Sequence, residues 1–216
     1  MSVPLELLDK YQTTFLDFWR LGPKRFLARL QHDPEKYMRP ALFAGTTLLV
    51  LLALESISSQ LLAPDAERIV RLKMPPAEAF AGEGLVLIIT LLLLQAFFYR
   101  VISPLWPIRG NATIVSLCEF QSYALALFVP FAMLDVVLAD PFMYLLAHGA
   151  SLWQLLSPFL LYILAGIALF LVYQNRGIAE LNKVTPARML AGSLLWGMPL
   201  AATLGMIAVA IKHVAR

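Results

Sequence analysis

The chain has 216 residues, 60% of them hydrophobic and 14% charged, with a mean hydropathy of +0.74. Seventeen Lys and Arg against 14 Asp and Glu leave a net charge of +3. Such apolarity excludes an ordinary water-soluble domain. The small basic excess lies near the ends of apolar stretches with no stacking-aromatic pattern, so it excludes nucleic acid as a partner and favours membrane lipid.

Residues 1–39 form a charged head. Leu8, Tyr11, Phe15, Phe18 and Trp19 recur there at three-to-four spacing, while Asp9, Lys10, Gln12, Thr13 and Asp17 occupy other faces. That is the pattern of a helix lying in a membrane interface. Gly22-Pro23 interrupts it, and Pro23 suits the first turn of a second short helix bearing Phe26, Leu27 and Leu30. Lys24, Arg25 and Arg29 are then placed to meet lipid phosphates. The same apolar face could equally pack on the cytoplasmic end of the protein's own helices. Asp33-Pro34 turns the chain, and Tyr37 with Arg39-Pro40 anchors the start of the first span. The amino terminus lacks the basic region, apolar core and small-residue cleavage site of a secretory leader, so no cleavage is expected.

Residues 40–216 carry five apolar stretches, at about 40–62, 84–103, 117–139, 152–174 and 189–211, each near the roughly 20 residues needed to cross about 30 Å of hydrocarbon. The expected fold class is all-α, a polytopic transmembrane helical bundle of five spans preceded by an amphipathic interfacial helix pair. Pro130, Pro158 and Pro199 fall inside three spans, where each removes a helical hydrogen bond and can bend the helix. Gly192, Gly197 and Gly205 allow close helix approach in the last span. Cys118 is alone, so it forms no intramolecular disulfide or paired metal motif and reads as a small buried residue.

Loop cations set the orientation. With five crossings, the head and the second and fourth connections hold twelve Lys and Arg, against five in the other connections and the tail. The amino terminus is therefore expected in the cytoplasm and the carboxyl terminus outside. A hairpin at Tyr99-Arg100, ahead of Pro104 and Pro107, would instead reverse everything downstream. On the five-span topology the acceptor pattern Asn111-Ala112-Thr113 is cytoplasmic and stays unmodified.

Charges within spans are costly unless paired or hydrated, so each is a candidate functional group. Glu55 and Asp135 fall near the outer boundary, with Asp140 and His148 following in the third connection. Together they could form an outer-face cation or proton site, or pair with Arg68, Arg71 and Lys73. Glu119, at the start of span three, has Arg100 and Arg109 within reach, and an ion pair there would hold residues 104–110 as a folded loop. Tyr123, Gln95, Gln121 and Gln154 supply interhelical hydrogen-bonding groups. No catalytic, cofactor-binding or metal motif is legible.

Leu21-Gly-Pro-Lys-Arg-Phe-Leu-Ala-Arg-Leu30 ahead of Pro40, the run from Gly110 through Tyr123 to Pro130, and Thr185-Pro-Ala-Arg188 together resemble the Yip family of five-span membrane proteins. In that family a Pro-basic-Phe head precedes span one, and a glycine-led turn enters the middle span. The resemblance implies a helical membrane protein with no catalytic residues to carry over. The head here is far shorter than the cytosolic regions with which eukaryotic members engage small GTPases. The function expected is a non-enzymatic scaffold, accessory or assembly subunit, its partners being membrane lipids and other membrane proteins or further copies of itself. A small oligomeric channel or transporter is the alternative, and a lipid-active enzyme the more distant one.

Overall fold

The computed structural model describes residues 3–62, 77–134, 136–137 and 152–199, and among them every regular element is helical. The head is α1, Val3–His32, and it is two helices joined at a kink. Gly22 sits there at φ 70° and ψ 167°. The following proline drives its neighbour out of the α region, and only glycine takes that positive φ without strain. No heavy atom lies within 4 Å of where its Cβ would be, so conformation rather than space requires the glycine. A 3-10 turn at Pro34–Lys36 reverses the chain, the Tyr37 N–H donating to the Pro34 carbonyl at 3.3 Å.

The helices α2 (Pro40–Leu62), α3 (Ala77–Ile102) and α4 (Ile114–Ala124) follow. A 3-10 turn at Leu125–Leu127 interrupts the third apolar stretch before helix resumes at 129–134. Pro130 explains the interruption. It has no N–H to offer the Ala126 carbonyl four residues back, so α-helical bonding fails there. The Phe128 N–H turns to Leu125 at 3.0 Å, and the indole N–H of Trp19 in the head donates to the freed Ala126 carbonyl at 3.3 Å.

Next come α5 (Leu152–Leu181) and, over 186–199, α6. The turn between them closes α5 with Lys183 in left-handed backbone at φ 55°. The Lys183 N–H donates to Glu180 and the Val184 N–H to Ala179, both at 3.0 Å, which satisfies two carbonyls at the helix end.

At the centre stands α4, packed against α2, α3 and α5, while α1 lies on α5. A Cβ at Gly177 of α5 would overlap the Phe120 ring of α4, so glycine there is what lets the two helices meet. Pro34–Leu54 and Ile114–Leu134 are long and apolar enough to cross a membrane among the described residues, and Leu92–Ile102 is apolar but shorter. The first two coincide largely with the first and third expected spans.

Candidate functional site

Among the described residues, the head meets α2, α4 and α5 at one junction. Nine rings form one continuous cluster there. Tyr11, Phe15, Phe18, Trp19 and Phe26 come from α1, Tyr37 from the linker, and Phe43, Tyr123 and Tyr173 from three helices of the bundle. Phe26 stands edge-on to Phe18, Tyr37 and Tyr123, with ring centroids 5.1–5.4 Å apart, within the favourable range for such pairs. Phe18, Phe26 and Phe43 are wholly buried. The apolar face of the head thus packs on the protein's own bundle. Leu5, Leu7, Leu8 and Leu16 of the same helix remain exposed, a second apolar surface that the aromatic cluster does not consume.

Polar contacts at the junction are closed on one another. The Met38 N–H donates to the Thr14 hydroxyl at 2.9 Å, and the Met38 carbonyl accepts from the Tyr123 hydroxyl at 2.9 Å. The linker backbone, which belongs to no helix, is thereby satisfied by side chains from α1 and α4, as a buried peptide group requires. Thr14 passes its own proton to the Lys10 carbonyl at 2.6 Å.

Asp17 gathers the second set. Its carboxylate accepts from the Tyr37 hydroxyl at 2.9 Å and from the Lys36 ammonium at 3.2 Å, with the Arg29 guanidinium at 3.8 Å. Partial burial pushes the Asp17 carboxyl upward. The hydrogen bonds from Tyr37 and Lys36 and the charges of Lys36 and Arg29 overcome that push and hold it below its ordinary value. Sequence periodicity assigned Asp17 to an open polar face; the reversal at Pro34 instead brings Lys36 and Tyr37 back onto it.

Deeper in the bundle, Gln121 and Gln174 exchange two hydrogen bonds, at 3.0 and 2.8 Å, linking α4 to α5 as a closed amide pair. The sequence marks Gln121 as a candidate interhelical contact, whereas no local pattern marks Gln174. Gln95 on α3 differs, for among the described residues its buried Oε1 meets no donor.

Glu119 is exposed on α4, as are Arg100 and Arg109, and among the described residues no ion pair joins them. The expected charged clasp of the 104–110 loop is therefore replaced by neutral contacts. The Gly110 N–H donates to the Ser103 carbonyl at 2.6 Å, and Asn182, buried between helices, accepts from the Ala112 N–H at 3.2 Å and donates to the Ile178 carbonyl at 2.9 Å. Neutral amides close this loop without the cost of desolvating a charge. Thr113 of the glycosylation pattern caps α4, its hydroxyl accepting from the Ser116 N–H at 3.2 Å.

Tyr123 lies in the aromatic cluster, one helical turn along α4 from Glu119, which lines a shallow cleft of about 500 Å³ shared with Arg39 and Cys118. Lys24 reaches Glu180 at 3.5 Å and Arg29 reaches Asp17, while Arg25 is exposed. The Lys24–Glu180 pair is exposed and therefore weak, whereas Arg29 is paired to a largely buried carboxylate. The side chains of Glu55 and Gln154, and the residues Asp135, Asp140 and His148, lie outside what the structure describes, as do Arg68, Arg71 and Lys73. Among the described residues no group of three or more His, Cys, Asp or Glu is placed to hold a metal. No family model, curated protein or solved structure matches the chain.

Proposed function

We propose that the chain is a non-enzymatic integral membrane protein of the five-span, Yip-like kind. In this reading its amino terminus is cytoplasmic, its tail is outside, and its host is a bacterial inner membrane. Its role is that of a scaffold, accessory or assembly subunit organising lipid or partner proteins. The observation that carries this reading is the clasped head. Its rings and polar groups are spent on fastening α1 to α2, α4 and α5, which suits a rigid platform better than a reactive or conducting centre. The outer faces fit a lipid setting: Leu42 and Leu49 on α2, Leu93 and Phe97 on α3, and Leu194 and Met198 on α6 are all exposed. Trp106 and Trp196 also sit together, the Trp196 indole N–H donating to the Trp106 carbonyl at 2.8 Å. Amphipathic indoles belong at a membrane boundary.

Purification from native membranes in mild detergent, with identification of co-purifying chains, tests the role. A stoichiometric membrane-protein partner is the expected result. Solute flux through liposomes carrying the purified protein alone, abolished by Glu55→Gln or Asp135→Asn, would overturn it in favour of a channel. Reporter fusions in each connection check the five crossings.

A further inference from the structure

A second cleft, of about 530 Å³, lies where the first turns of α1 cross the start of α2. Its lining combines Lys10 and Arg39, the carboxylate of Glu35, the apolar side chains of Leu7 and Leu42, and Tyr37. We infer that this cleft binds one phosphatidylethanolamine molecule, Arg39 and Lys10 taking the phosphate, Glu35 the ammonium, and Leu7 and Leu42 the start of the acyl chains. The inference rests on the membrane reading above.

The argument is charge complementarity combined with position. A zwitterionic headgroup carries one phosphate and one ammonium a few bonds apart, and the lining of this one cleft holds two cations and a carboxylate. Arg39 and Glu35 are exposed, and no ion pair engages either among the described residues. Lys10 is held at 3.1 Å by Glu6, itself mostly exposed, through a one-turn surface pair that a phosphate can displace. A phosphatidylcholine headgroup has no N–H to give Glu35. A phosphatidylglycerol headgroup offers that carboxylate only neutral hydroxyls, weaker donors than an ammonium. Arg39 immediately precedes Pro40, the first residue of α2, so the polar end of the cleft sits at headgroup level. Leu7 and Leu42 are more than two-fifths exposed, which leaves apolar walls for chains entering the bilayer.

The test is native mass spectrometry of the full chain released from nanodiscs of phosphatidylethanolamine, phosphatidylglycerol and phosphatidylcholine in equal parts. Wild type is expected to retain one phosphatidylethanolamine in preference to the other two. Loss of a charge-assisted contact predicts that Glu35→Gln lowers that retention at least about tenfold without lowering phosphatidylglycerol, and that Arg39→Gln lowers both. Equal retention of the three lipids by wild type, or unchanged phosphatidylethanolamine retention by Glu35→Gln, overturns the site. Equal competition by free phosphoethanolamine also overturns it, because Leu7 and Leu42 would then contribute nothing. Should either variant fail to fold, wild type with a photoactivatable phosphatidylethanolamine decides. Label on the peptides holding Leu7 or Leu42 supports the site, and label only elsewhere overturns it. Release of the protein by alkaline carbonate would instead overturn the membrane reading beneath it.

Discussion

Asp17 shows how one residue's environment can invert its sequence reading. On a helical wheel it is one of several polar positions, but its carboxylate accepts from Lys36 and Tyr37, nineteen and twenty residues away. Its pKa is held below the ordinary 3.8, so the folded state favours the charged form. The stabilisation is fully present above that ordinary value and is lost as pH falls through the lower folded value. Hydrogen exchange on α1 is therefore expected to rise as pH drops below about 4 once the intrinsic exchange rate is divided out. Asp17→Asn should lack this acid step and exchange faster at neutral pH. An identical acid step in the variant would remove Asp17 as its source.

Between elements, the interruption in the third apolar stretch was legible because Pro130 must free a carbonyl four residues earlier. The donor that answers it, Trp19, was not, since nothing local ties residue 19 to residue 126. The same holds for Gln174 and Asn182. Each meets a partner 53 or 70 positions away, and periodicity reports a face, never the group opposite. The expected Glu119 clasp failed for a related reason: proximity along the loop suggested an ion pair, and folding supplied neutral amides instead. The Gln121–Gln174 pair gives a measurable consequence. Replacing either alone by leucine strands a buried amide and should cost about 1–3 kcal/mol, whereas the double replacement should lie near wild type. Unfolding in detergent of all four proteins yields the coupling energy. Additive single effects would mean that the pair closes no joint contact.

At the scale of the whole molecule, the head and the bundle helices share one core among the described residues, with Phe18 and Phe26 in the same buried cluster as Phe120, Tyr123 and Ile178. A helix held only by lipid and a helix held by its own bundle respond differently to one change. Phe26→Ala removes a wholly buried ring that touches Phe18, Tyr37 and Tyr123, and losses for such truncations run about 3–5 kcal/mol. If the bundle holds the head, the variant in a bilayer should become sensitive to proteolysis at Lys24 and Arg25 and lose amide protection across α1. Protection in α4 and α5 should fall much less, because the Gln121–Gln174 pair and the Phe120–Gly177 contact do not involve the head. If lipid holds the head, Phe26→Ala in a bilayer should behave as wild type and lose protection only after transfer to detergent. The packing favours the first pattern, since the Trp19 and Tyr173 hydrogen bonds and the nine-ring cluster all run from the head to the bundle. The leucines that α1 leaves exposed can then rest on lipid without being what fixes it in place.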